Sequence, residues 1–374
     1  MSWAEWAEAK NAKTRAKGRW RQLADFDAIG PRGLLSDGRR VVSFASNDYL
    51  GLSAHPKVLA AAHDAIDKWG AGAGASRLVS GSRPVHGGLE ALLADWKSSE
   101  SALVFPTGFA ANLGLLSAIA GPQVLICSDE LNHASIIDGC RLAQNLGALV
   151  DVYPHCDVDA VSKLLASASG RAVVVTDAVF SMDGDLAPVN ELAQACSQHD
   201  ALLVIDEAHS VLGPHFDDFR CETLRVGTLS KTLGSQGGFV AGKRLMTDML
   251  VNRCRSFIFT TALAPASAAA ARAALEVLGS EEGEQLLARL RGHVAHFTGT
   301  RTMPSPIVPV VVGGEQEALA ASAALLEEGF FVPAIRPPTV PPGTSRLRVT
   351  LSAAHTDQEV LELMNALKRL GLKP

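Results

Sequence analysis

The sequence predicts an α/β fold: a large domain on a mostly parallel, seven-stranded sheet, followed by a smaller α+β domain. Three observations predict it. Between Ser46 and Arg255, short apolar, β-branched runs alternate with helical stretches. Those runs are continuously apolar, as parallel strands covered on both faces are. After Ala264 the alternation gives way to longer alanine-rich and charged helices mixed with two apolar strands. The 374 residues are enough for two or three domains at roughly 100–200 residues each.

Taken in order, residues 1–45 read as an N-terminal helix and arm, with a polar helix over the first 30 or so. Lys10, Lys13, Arg15, Lys17, Arg19 and Arg21 cluster there. They suit either a solvated helix face or a patch for an anionic thioester carrier. Residues 46–260 read as the large domain. Its strands are expected at Ala102–Phe105, Val124–Cys127, Ala148–Tyr153, Ala172–Thr176, Leu202–Ile205, Arg225–Leu229 and Gly238–Ala241. Helices are expected between them, at Phe109–Ile119, Ile136–Leu146 and Asn190–His199. Ligands of such sheets gather at the carboxyl ends of the strands. Residues 261–374, about 110 residues, read as the small domain. Helices are expected at Ala266–Leu278 and Glu284–Phe297, and strands at Ile307–Val312 and Leu347–Leu351. The last helix opens on Thr356-Asp357-Gln358-Glu359, a capping box in which Thr and Glu satisfy free amide donors reciprocally.

Composition narrows the function. The hydrophobic fraction of 47% and charged fraction of 20% are those of an ordinary globular enzyme. A net charge of −5 argues against a nucleic-acid partner. No run approaches the roughly 20 apolar residues that span a bilayer, and the start lacks the order of a signal peptide. The six cysteines form neither a C-x-x-C pair nor a zinc pattern. They read as reduced thiols of a cytoplasmic protein, with no metal.

Two segments carry the chemistry together. Ala201–Ile205 is a buried strand that ends in Asp206, with His209 three positions on. By itself this is an acidic strand end and a loop. Twenty-five residues later, Lys231 follows another apolar strand among small residues, Thr228-Leu229-Ser230-Lys231-Thr232-Leu233-Gly234. A typical lysine is a flexible surface charge. Small neighbours leave room for a bulky group on its amine, and confinement lowers its pKa toward use as nucleophile and base. Lysine and carboxylate at neighbouring strand ends are what pyridoxal 5'-phosphate (PLP) needs: one for a Schiff base, the other against the pyridine nitrogen. Thr228 and Ser230 offer hydroxyls to a phosphate. Phe105-Pro106-Thr107-Gly108-Phe109 is either an ordinary strand-to-helix turn or an anion site at a helix start. His133, in Asp129-Glu130-Leu131-Asn132-His133, is either polar surface or a ring stacked on the cofactor.

Ser46-Asn47-Asp48-Tyr49-Leu50-Gly51-Leu52, Asn132-His133-Ala134-Ser135, Val179-Phe180-Ser181-Met182-Asp183-Gly184-Asp185, Asp206-Glu207-Ala208-His209 and Thr228-Leu229-Ser230-Lys231 resemble, in order, the α-oxoamine synthases. These are PLP enzymes of the aspartate-aminotransferase fold type (fold type I), and the likeness runs from about residue 40 to 360. It implies Lys231 as the Schiff-base lysine, Asp206 at the pyridine nitrogen, His209 at the ring oxygen and His133 stacked on the ring. It further implies Gly108 and Phe109 at the phosphate, and Ser181 and Thr228 at the cofactor. Arg348 would hold the amino-acid carboxylate in a bidentate fork. Arg21, Asn47 and Thr339 would touch substrate. Thr260 and Thr261 would reach the phosphate of the partner subunit in a homodimer with shared sites.

Residues Ala334–Arg348 look like the biotin-pathway branch of that family, whose substrates are L-alanine and a pimeloyl thioester of coenzyme A or acyl-carrier protein. The alternative is a sibling synthase using glycine or serine. Two departures stand out: Asn132 where a serine is frequent, and a shortened Ser210–Leu224 lacking Gly-Arg-Gly. Gly70-Ala71-Gly72-Ala73-Gly74-Ala75 fits a dinucleotide fingerprint formally. That fingerprint needs a preceding strand, and Lys57–Trp69 reads as a helix. A non-catalytic binding subunit would have no use for Lys231, Asp206, His133 and Arg348 together.

Overall fold

The computed structural model describes residues 1–213, 220–299 and 301–373. Helix Trp3–Ala16 opens on a capping box between Ser2 and Glu5 and buries none of its residues. The expected 30-residue helix stops there. With no apolar stripe to pack, nothing extends it past Gly18, which takes a left-handed φ of 63°. Three short antiparallel strands follow: β1 (Phe26–Ile29), β2 (Arg32–Leu35) and β3 (Arg40–Ser43). Their turns pass through Gly30 and Gly38, also at positive φ.

Helices Pro56–Trp69 and Pro84–Trp96 come next. The first stands before the Gly70–Ala75 run where a dinucleotide fold would need a strand, so that reading fails. The large sheet comprises β4 (Ser101–Phe105), β5 (Val124–Asp129), β6 (Leu149–Tyr153), β7 (Arg171–Asp177), β8 (Leu202–Asp206), β9 (Thr223–Thr228) and β10 (Gly238–Gly242). Their order is β4-β10-β9-β8-β7-β5-β6. The pairs β5–β6, β5–β7, β7–β8 and β8–β9 are parallel, and β10 runs antiparallel to both its neighbours. Each expected strand is present within about two residues of its expected ends.

Alternate residues of β7 feed two layers. Val173 and Val175 pack with Leu115, Leu116 and Ile136 of the helices Gly108–Ile119 and Ala134–Asn145. Val174 packs with Val161, Leu165 and Leu192 of Val158–Ser167 and Val189–Gln198 on the other face. Burial on both faces is why the inner strands read as apolar runs, whereas the edge strand β6 is largely exposed.

The C-terminal region adds β11 (Ile307–Gly313), β12 (Phe330–Phe331), β13 (Ala334–Ile335) and β14 (Ser345–Thr350), with helices Pro265–Leu278, Glu281–Thr298, Glu315–Glu327 and Asp357–Arg369. β14 lies between β11 and β13 in an antiparallel sheet. β12 pairs parallel with β3, so the N-terminal hairpin shares a sheet with the C-terminal region. The capping box at Thr356 and Glu359 forms as the sequence predicts. All six cysteines are free. Among the described residues no helix is long and apolar enough to cross a membrane.

Candidate active site

The strand register brings the chemistry to one edge. Asp177 pairs with Asp206 across β7–β8, and Gly238 lies beside both Thr228 and Phe105. The carboxyl ends of β4, β5, β7, β8 and β9 therefore open on a common cavity of about 200 Å³. Lys231, Asp206, His209, His133, Gly108, Phe109 and Thr228 all line it. Seven residues called from sequence thus meet in space.

Asp206 closes β8 with its side chain fixed. Oδ1 accepts from the Ala208 N–H at 2.9 Å and Oδ2 from the Asn112 amide at 2.6 Å. Asn112 also donates to Ser135 Oγ at 3.0 Å, and Ser135 Oγ meets His133 Nδ1 at 2.8 Å. The His133 N–H donates to Asp177 Oδ2 at 2.7 Å. Burial, followed by the nearby Asp206 charge, pushes the Asp177 carboxyl well above the carboxylate range.

Lys231 lies in the turn after β9, with Nζ 2.8 Å from His209 Nε2. The Tyr49 hydroxyl donates to Asn47 Oδ1 at 3.3 Å, so its oxygen accepts from His209 Nδ1 at 2.5 Å. That tautomer leaves Nε2 to accept from Lys231. Burial lowers the Lys231 pKa, with Asp206 and Asp177 pulling it back up. The His209 pKa falls well below the usual histidine value through burial, then through the charges of Lys231 and Arg348. Burial also lowers that of His133, against the pull of Asp206.

At the other end of the cavity stands the start of helix Gly108–Ile119. Thr107 caps it, taking the Ala110 N–H at 3.0 Å. The first N–H groups of a helix lack intrahelical acceptors and attract anions. Strand β10 presses close behind: a Cβ on Gly238 would lie 2.5 Å from the Gly108 nitrogen and Cα. Thr228 Oγ1 and Ser230 Oγ, 2.7 Å apart, complete this end.

A family model for class I and II aminotransferases matches residues 39–367. Proteins named 8-amino-7-oxononanoate synthase from Anaeromyxobacter dehalogenans and Geobacter sulfurreducens are 49% and 45% identical to this chain. The alignments cover 97% and 96% of this chain, and 94% and 95% of theirs. The chain is an α-oxoamine synthase of the class I and II aminotransferase family. A solved variant of serine palmitoyltransferase from S. paucimobilis with a bound PLP–myriocin aldimine superposes at TM-score 0.89 and 29% identity, covering 98% of this chain and 97% of that one.

The cofactor of this α-oxoamine synthase is PLP, and the cavity fits it. An amine and a fixed carboxylate lie on its walls, an imidazole stands beside them, and a helix start with two hydroxyls suits the phosphate. The remaining expected residues fall into two groups. Arg348, Asn47 and Ser181 form a cluster of their own. Arg348 Nε donates to the Ser181 carbonyl at 2.5 Å, one terminal nitrogen to Thr350 Oγ1 at 2.8 Å and the other to Asn47 Oδ1 at 3.2 Å. Arg21, Thr339 and Thr261 are exposed and Thr260 half-buried, and this chain brings none of the four into the cavity. The shortened stretch Ser210–Leu224 has its centre, residues 214–219, outside the described residues.

Sequence reasoning passed over Asn112, Ser135, Asp177 and Tyr49. Asn112 carried a signal: the one amide on a helix of small and apolar residues, four residues after Gly108; the structure buries it to 1% exposure. Such a group needs a partner, and here the partner is Asp206.

Proposed function

We propose that this enzyme joins L-alanine to a pimeloyl thioester, releasing carbon dioxide and the free thiol and giving 8-amino-7-oxononanoate, a step of biotin synthesis. The observation that carries the chemistry is the shared cavity of Lys231 and Asp206, with a helix start at its far end. The substrates follow from relatives of that name at 45–49% identity over nearly the whole chain.

PLP, held by Lys231, supplies when bound an electron-withdrawing ring that takes up the electron pair released at the amino acid's Cα. In this reading Asp206 holds the ring nitrogen, while Gly108, Phe109 and Thr228 hold the phosphate. Ser181 and His209 complete the cofactor's surroundings, and His133 covers one face. Lys231 Nζ takes the Cα proton, a role that its lowered pKa favours near neutral pH. His209 stays neutral, so its Nε2 can accept a hydrogen bond from Lys231 and orient that amine, while its Nδ1–H is held by Tyr49.

Arg348 binds the amino-acid carboxylate. Ser181, Thr350 and Asn47 each take one of its five N–H donors and Tyr49 also bears on it, which still leaves donor capacity for a substrate carboxylate. Burial lowers its pKa only from an extreme starting value, so it remains a cation. Asn47 lies against it, and Arg21 and Thr339 meet the acyl substrate from outside the cavity. His133 donates a hydrogen bond to the thioester oxygen as charge develops there. The enzyme acts as a cytoplasmic homodimer in which Thr260 and Thr261 serve the partner's phosphate.

The test is a panel of amino acids against pimeloyl-coenzyme A and pimeloyl acyl-carrier protein, with the product identified by mass. L-alanine should give the dominant product. Product from glycine or serine but none from alanine would reassign the enzyme to a sibling activity.

A further inference from the structure

Outside the cavity, at the ends of β5 and β6, a histidine stands between two carboxylates. His155 Nδ1 lies 3.1 Å from Asp129 Oδ1 and Nε2 lies 2.8 Å from Asp185 Oδ2. Asp129 closes β5 with its side chain 1% exposed. It also accepts from the Leu131 N–H at 2.9 Å and the Cys156 N–H at 2.9 Å. The latter is aimed by a left-handed backbone at Cys156, φ 59°, uncommon for a residue with a Cβ. Cys156 Sγ sits 3.7 and 3.5 Å from the two ring nitrogens. Such near-equal distances place the sulfur over the ring face. It therefore cannot share an in-plane ion with either nitrogen, and both nitrogens already face carboxylates. Asp129, His155 and Asp185 make a clamp, and Asp129, His155 and Cys156 do not make a metal site.

The clamp grips the turn that seats Arg348. The Phe180 N–H donates to the Asp185 carbonyl at 3.0 Å, and the Gly184 N–H to the Phe180 carbonyl at 2.8 Å. The Phe180 ring meets His155 edge to face, with centroids 4.3 Å apart at 85°. The next residue, Ser181, gives its carbonyl to Arg348 Nε, and Asp183 pairs with Arg346. The two ends of the clamp are unequally supported. Asp129 keeps two backbone donors without His155. Asp185 Oδ1 is buried with no hydrogen-bond partner among the described residues, and His155 is what holds the other oxygen.

We propose that His155 is a positioning residue for amino-acid binding: it ties the Asp185 turn to the end of β5 and so fixes the Ser181 carbonyl on which Arg348 is seated. The hydrogen bonds it donates to Asp129 and then to Asp185 raise its pKa to about 12, so the ring is an imidazolium at working pH. The inference rests on Arg348 holding the substrate carboxylate.

The experiment compares the wild type, His155→Ala and His155→Gln as PLP holoenzymes. It measures alanine binding from the cofactor's absorbance without thioester, together with PLP content, melting temperature and the KM for each substrate. His155→Ala should weaken alanine binding at least tenfold, with PLP content near wild type and the thioester KM within about twofold. The side chain is 23% exposed, so added 4-methylimidazole should reach the vacated site and restore part of the binding. His155→Gln, which can keep one of the two contacts, should fall between. Unchanged alanine binding would overturn the proposal. So would a loss matched by equal losses of PLP and melting temperature and untouched by 4-methylimidazole. A wild type that answers glycine or serine but not alanine indicts the substrate assignment instead, and the same comparison then runs with that amino acid.

Discussion

Lys231 differs from a surface lysine because its surroundings penalise its charge. Desolvation lowers its pKa, and the amine faces a histidine that burial keeps neutral. Lys231→Ala should abolish turnover and the absorbance of the lysine-bound cofactor, as a spectrum and a thioester assay will read. Asp206 depends on Asn112 in turn. Asn112→Ala strips a hydrogen bond from a buried carboxylate oxygen, a loss of about 1–3 kcal/mol. At about 1.4 kcal/mol per factor of ten, kcat/KM should fall some ten- to a hundredfold with the fold intact, measured by steady-state kinetics beside circular dichroism. Asp206 was legible because it closes an apolar run, where a strand end is the only sensible position, and His209 and Lys231 because each follows such a strand end by three residues. Asp177 stands there too and was passed over: it lacked a recognisable partner until β7 and β8 came into register.

Among the elements, the junction of β4, β10 and helix Gly108–Ile119 decides how the cofactor's anionic end is met. Gly238 is required by proximity, since any Cβ would strike the backbone of Thr107 and Gly108. Gly238→Ala should push the helix start outward and weaken PLP binding tenfold or more, readable as the apparent Kd in a fluorescence titration. The inner strands of the large sheet were legible from the sequence because burial on both faces writes the same apolar run whatever the neighbours are. The short strands β1–β3, β12 and β13 were not. Two- to four-residue strands carry too little pattern, and β12 in addition pairs with β3 from the opposite end of the chain.

At the scale of the whole molecule, buried polar groups tie distant segments together. His355 stacks on Phe44 at 4.1 Å, accepts from the Ser352 N–H at 3.0 Å and donates through Nε2 to the Ser43 carbonyl at 3.0 Å. Burial lowers its pKa from 6.5 to about 4. The unfolded chain therefore binds the proton more readily than the folded one. The stability contributed by neutral His355 is complete above pH 6.5 and drains away as pH falls toward 4. At about 1.4 kcal/mol per pKa unit, the full loss is on the order of 3 kcal/mol. Melting temperatures between pH 7 and 4 should show that slope, and His355→Gln should flatten it. Glu207 makes a second tie, buried between Lys97 and Arg225 at 2.7 Å each. Glu207→Leu leaves two buried cations without their carboxylate and should cost about 3–5 kcal/mol, measured by urea unfolding.

The sequence by itself determined the layered α/β architecture, the strand-end lysine and carboxylate, and the cofactor they imply. All of these are local consequences of apolar periodicity and of residue chemistry at its edges. Only the tertiary structure decided which polar groups steady that chemistry. Asn112 against Asp206, Tyr49 against His209, and His155 between Asp129 and Asp185 are contacts between segments remote in sequence. Hydrogen-bond partners of buried groups are chosen by how the chain folds back on itself, and a linear pattern carries no record of that choice.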